Sequence, residues 1–200
     1  MFSRLLPVTL TLLLLSTGSA FAHVGLGHVD TFQTGFFHPL SGIDHVLAMV
    51  AVGLYAASLG GAALWLVPCA FVGMMIVGGA IGYGGIPLPL VEQAIGLSVV
   101  AMGLAIALGV RLRVVMAMGL AGLFALFHGH AHGSEGAALA SFLPYAAGFI
   151  AATVALHMAG IALGLGLDRL GTAQADYLRR AAGAVGALAG VSLVLGSLTV

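Results

Sequence analysis

The sequence predicts an all-α, polytopic membrane protein, and three observations carry that reading. Of 200 residues, 61% are apolar and 6% charged, too few charges to cover the surface of a water-soluble domain. Glycine, proline and charge divide most of the chain into six apolar stretches of roughly twenty residues, the length a helix needs to cross hydrocarbon. No strand-like alternation competes, and a helix satisfies its own backbone hydrogen bonds where no water can. The mean hydropathy of +1.18 agrees.

Taken in order, residues 1–22 read as an export signal. Arg4 supplies a positive start, Leu5 to Leu15 an apolar run, and Ala20-Phe21-Ala22 an A-x-A cleavage site. At 1.5 Å per residue that run is roughly 16 Å long, short of the about 30 Å of a bilayer core. Cleavage after Ala22 makes His23 the mature N-terminus and 23–35 a periplasmic segment. The transmembrane domain, 36–200, then holds spans at 36–59, 62–83, 88–109, 113–132, 141–166 and 177–199. Gly60-Gly61, Gly84 to Pro89, Arg111 to Arg113, Gly133 to Gly136 and Asp168 to Asp176 separate them. Gly160 and Gly164, like Gly186 and Gly190, have the GxxxG spacing that lets helices approach closely in lipid. Met74, Met75, Met102, Met116 and Met118 read as bundle filler.

Charge gives the orientation. Lysine is absent. With the mature N-terminus outside, Arg111, Arg113, Arg169, Arg179 and Arg180 all fall on the cytoplasmic side of the inner membrane, as the positive-inside rule requires. A formal balance of zero gives no reason to expect nucleic acid as a partner, and the lone Cys69 excludes a disulfide framework or thiolate cage.

The chemistry sits in the few polar residues within the spans. Asp44, Glu92 and Glu135 fall in or near the outer half with no Lys or Arg to pair with them. A carboxylate in low dielectric must gain a proton, a partner or a metal ion, and histidine is the companion on offer. Imidazole and carboxylate without thiolate suit borderline divalent cations such as Ni, Co, Zn or Cu.

Two stretches concentrate these groups. In HPLSGIDH, residues 38–45, Pro39 suits a first helical position and leaves His38 near the cap. Asp44 and His45 then lie roughly 9–10 Å further along the axis, so His38 and His45 read as an outer and an inner station. In FHGHAHGSE, residues 127–135, His128 and His132 share one helix face, Glu135 continues it, and His130 points away. Gly129 and Gly133 permit local unwinding. His157, in the fifth span, is a candidate next station inward, and Glu92 a candidate member of the outer ring. His23, beside its terminal amine, and His28 form a candidate gathering tail.

HPLSGIDH resembles the H-P-x-x-G-x-D-H signature of the HupE/UreJ family of bacterial nickel permeases, through His38, Pro39, Gly42, Asp44 and His45. FHGHAHGSE resembles that family's F-H-G-x-A-H-G-x-E signature, through Phe127, His128, Gly129, His132, Gly133 and Glu135, with His130 in the variable slot. The resemblance implies uptake of nickel or cobalt as substrate, supporting hydrogenase or urease maturation. It also implies functional roles for His38, Asp44, His45, Phe127, His128, His132 and Glu135.

No GxxxxGK[ST] loop is present, so nucleotide hydrolysis within the chain is not expected. The membrane potential is worth about 2.3 kcal/mol per charge per 100 mV, hence roughly 4.6 for a divalent ion. That favours uptake without a further source where cytoplasmic metallochaperones keep free metal low, with proton coupling through the histidines, which titrate near neutral pH, as the alternative. No permanent cofactor and no enzymatic activity are expected. The competing reading is a membrane metalloenzyme or haem protein that uses the same histidines as permanent ligands.

Overall fold

A computed structural model describes residues 31–139 and 141–198. The expected export signal and cleavage site, with His23 and His28, lie outside the described residues. Seven α-helices follow one another: α1 (Phe32–Ser41), α2 (Ile43–Leu59), α3 (Ala63–Tyr83), α4 (Val91–Ala107), α5 (Val114–Gly136), α6 (Phe142–Leu167) and α7 (Thr172–Ser197). A 3-10 turn, Asp168–Leu170, joins the last two. The described residues contain no strand.

The expected first span, 36–59, is two helices. α1 begins at a capping box in which Thr31 and Thr34 satisfy each other's backbone N–H. Pro39 stands in its last turn rather than its first, and Gly42 adopts an extended conformation (φ −94°, ψ 119°). α2 then leaves at 85° to α1. The physical cause is local: proline offers no N–H to continue the ladder, and Gly42 has no side chain to resist the turn. A Cβ on Gly42 would stand 2.7 Å from Asp44 Oδ1 and 2.8 Å from His45 Nδ1. Glycine therefore makes the corner and clears space for the pair that follows it.

Four helices (α3, α5, α6 with its 3-10 extension, and α7) are long and apolar enough to cross a membrane, and the bent α1–α2 pair passes as a fifth. α4 is shorter than the expected 88–109. Pro87, Pro89 and a left-handed Leu90 (φ 59°) hold its start back, leaving 17 residues or roughly 25 Å. α5 runs unbroken through Gly136, so Gly129 and Gly133 do not unwind the helix.

Those glycines instead form a packing seam. A Cβ on Gly129 would land on the Met75 carbonyl, and one on Gly133 on the Gly79 carbonyl. Gly78 and Gly82 meet α5 in the same way. Gly53 and Gly160 join α2 to α6, Gly35 and Gly148 join α1 to α6, and Gly103 and Gly183 join α4 to α7. α3 with α5, α4 with α7, and α2 with α6 are the most extensive helix pairs, as expected where backbone approach replaces the hydrophobic effect. Gly186 faces open space while Gly183 and Gly190 meet α4, so the expected 186/190 pair is displaced by one turn at its first member. Met75 and Met102 are core residues, whereas Met74 and Met116 are exposed on the outer surface of the bundle, where an apolar side chain suits lipid.

The end that carries the arginines is tied by Tyr55, fully buried. Its hydroxyl donates to the Val110 carbonyl (3.1 Å) and accepts from Leu112 N–H (3.4 Å). Tyr55→Phe should therefore lower unfolding stability by about 1–2 kcal/mol, the cost of orphaning a buried group. Thermal denaturation of the detergent-solubilised protein measures it, and an unchanged midpoint would contradict it. At the same end Arg179 pairs with Asp168 and Asp176 and donates to the Gly164 carbonyl.

Candidate metal site

The corner at Gly42 decides the geometry of the site. A straight helix would separate His38 from His45 by two turns, as an outer and an inner station. The 85° break instead brings their rings to 6.0 Å, edge to face. The last two turns of α5 face this corner. His132 lies 4.8 Å from the His38 ring and 4.7 Å from the His45 ring, centroid to centroid. His38, His132 and Glu135 each offer a ligand atom within 4.8 Å of the others. The two motifs, 87 residues apart at their contact, form one cluster.

Hydrogen bonding sets the tautomers. His45 Nδ1 lies 2.8 Å from Asp44 Oδ1, and His132 Nδ1 lies 3.1 Å from Glu135 Oε2. An ionised carboxylate only accepts, so each Nδ1 carries the proton and donates it. In the neutral rings each Nε2 is then a bare lone pair. Those two Nε2 atoms face one another at 2.5 Å. Two lone pairs so close repel unless a proton or a cation joins them. This is the carboxylate–histidine pairing that orients imidazoles toward metals.

His128 extends the site inward. The Ser98 hydroxyl gives its hydrogen to the Ile95 carbonyl (2.6 Å), so its oxygen accepts from His128 Nε2–H at 3.1 Å. His128 Nδ1 is left as a free lone pair, with no partner among the described residues. Its ring lies 5.5 Å from that of His45. Exposure falls steadily along this line. The Glu135 side chain is 51% exposed, His38 18% and His45 and His132 8% each, while His128 is fully buried. The order defines an approach from the surface. Phe149 floors the cluster, 4.3 Å from His132 and 5.9 Å from His38. A crevice of about 810 Å³ between α3, α5 and α6 also reaches His132.

Other expected positions fall outside this cluster. His130 turns away and donates Nε2–H to the Ile86 carbonyl (2.8 Å), pinning the loop between α3 and α4. Glu92 is exposed in the first turn of α4 and makes no hydrogen bond to the cluster. Phe127, one residue before His128, is half-buried, and Gly136 packs against Phe142. His157 lies deeper, against Phe71 at 4.9 Å. Sequence reasoning missed Ser98, Phe71 and Phe149. Ser98 carried a signal, being one of few polar residues inside a span, whereas Phe71 and Phe149 carried none among ten phenylalanines.

The described arginines (Arg111, Arg113, Arg169, Arg179 and Arg180) lie at or near the ends of α4, α5, α6 and α7 remote from the cluster. None is paired with its carboxylates. Among the described residues, the charge of Asp44 and Glu135 is thus answered by imidazoles.

Comparison with known proteins places the chain. The family described as "HupE / UreJ protein" matches residues 10–193. "Protein HupE" of Rhizobium leguminosarum bv. viciae is 50% identical over 190 residues, covering 94% of this chain and 97% of the relative. No solved structure matches. The chain, with both histidine motifs gathered at one end of an all-helical bundle, belongs to the HupE/UreJ family.

Proposed function

We propose that this protein is an inner-membrane permease for divalent transition-metal cations, carrying nickel, or cobalt, inward to supply hydrogenase or urease maturation. The observation that carries this reading is the pair of carboxylate-oriented imidazoles with their free Nε2 lone pairs converging. His38, Asp44, His45, His128, His132 and Glu135 are the proposed ligand set, with Asp44 and Glu135 also orienting the rings. Two neighbouring ligands, each about 2 Å from a metal, stand about 3 Å apart, so His45 and His132 need part by only roughly half an ångström. Ligand atoms of this kind suit Ni and Co, and nickel is the cargo that the family's motifs imply. The histidine rings contact one another directly, which leaves no slot for a porphyrin between them and favours transport over haem binding.

In this reading six segments cross the membrane, with α1–α2 counted as one and the short α4 as another. The cluster faces the periplasm, the arginines face the cytoplasm, and a signal ending at Ala22 is removed. Three-plus-three inverted symmetry has specific support from the packing. Exchanging the first crossing with the fourth, the second with the fifth and the third with the sixth turns the α3–α5 pair into α6–α2 and leaves α4–α7 unchanged. These are the three most extensive pairs.

The test is competitive uptake in cells lacking other importers. Labelled nickel should accumulate about tenfold or more above the empty-vector control, with cobalt a stronger competitor than magnesium. Accumulation no higher than the control would reject the proposal, and a Soret band in the purified protein would favour the haem reading.

A further inference from the structure

We propose that His157 is a second, inner ligand station for the divalent cation, divided from the outer cluster by the ring of Phe71. The inference rests on the transport reading and extends it to a place that neither motif reaches.

His157 is 1% exposed, and among the described residues no atom hydrogen-bonds either of its ring nitrogens. A neutral imidazole carries one N–H and one lone pair, so both its polar functions are buried unanswered. Buried polar groups are otherwise paired. An apolar side chain of similar size would fill the same volume without that penalty, so packing does not account for a histidine here. Its neighbours have the character of a route. Phe71 lies edge to face with His157 (4.9 Å, 83°) and tilted against His128 (5.8 Å, 52°). The rings therefore run His128, Phe71, His157, and His128 and His157 each keep at least one nitrogen without a partner.

The walls beside Phe71 also carry donors. Met75 is one turn further along α3 and Thr153 one turn before His157 on α6. The Thr153 hydroxyl points at Met75 Sδ, 3.8 Å away. A thioether and a hydroxyl thus lie one helical turn from Phe71 and from His157 respectively. Cations are drawn to aromatic faces, and movement of one phenyl ring connects the two stations. A site with fewer donors than the outer cluster holds the ion more weakly, as release toward the cytoplasm requires.

The experiment uses the full chain, purified and reconstituted in liposomes, with nickel as probe. His157→Leu should keep equilibrium nickel binding at the outer cluster within about threefold, slow nickel influx about tenfold or more, and raise the thermal midpoint. His157→Cys, which restores a ligand atom, should return influx to within about threefold of the parent. Unchanged influx in His157→Leu would overturn the inner station, as would His157→Cys as slow as His157→Leu. If the leucine variant fails to fold, the ring is structural and the proposal falls unless His157→Cys transports normally. A parent protein that neither binds nor moves nickel would instead take down the transport reading itself.

Discussion

His45→Ala is expected to abolish nickel accumulation while the protein still inserts in the membrane. His45 is the hub of the cluster. Its Nδ1 is held by Asp44, its Nε2 faces His132, and its ring touches those of His38, His128 and Phe149. Alanine removes a proposed ligand and orphans Asp44, whose carboxylate loses its hydrogen-bonded imidazole. Loss of an outer-shell partner alone costs about 10–100-fold in metal affinity, so loss of the ligand should exceed that range. Asp44→Asn should fall within it, because the ring survives but its tautomer is no longer fixed. Nickel uptake normalised to membrane-inserted protein measures both. Uptake above half of the parent level in His45→Ala would mean that the two motifs are not one site.

Gly129→Val is expected to eliminate folded protein altogether. Its first methyl-bearing carbon falls on the Met75 carbonyl and crowds Gly79 N–H, both backbone groups that no rotamer change can move. α3 and α5 would have to separate along the whole run of Gly78, Gly82, Gly129 and Gly133. Small overpacking errors in cores cost about 1–3 kcal/mol, and more where backbone must shift; here the strongest helix pair is lost. A Cβ on Gly73 or Gly119 meets nothing within 4 Å, so Gly73→Val and Gly119→Val should fold normally. Monodispersity in detergent and thermal midpoint distinguish the three. A folded Gly129→Val protein with the parent midpoint would refute the seam.

Much of this arrangement was legible in the chain. The second span was expected at 62–83 and α3 is Ala63–Tyr83, because Gly60-Gly61 and Gly84 punctuate it unambiguously. The residues that converge came from chemistry: acids without cationic partners beside histidines. The corner was not legible. A proline followed by a glycine three residues later fits a helix start as well as a helix end, and only the contact of α1 with α6, through Gly35 and Gly148, selects the second. That one choice merged two expected stations into a single cluster. Phe71 and Ser98 acquire their positions from helices remote in sequence, so no local pattern marks them. The short α4 follows from Leu90 adopting a left-handed conformation after Pro87 and Pro89, which hydropathy alone does not register.

The glycine seams have a mechanical consequence. They lock helices into stiff blocks whose internal distances are fixed by backbone contact, so relative motion costs least between blocks. His38 and His45 ride on the α1–α2–α6 block, and His128 and His132 on the α3–α5 block, while α5 and α6 touch each other little. The converging imidazoles thus bridge the boundary between two blocks. Under the proposed transport function, a shift of one block against the other by a fraction of an ångström would grip or free an ion between them without deforming either motif.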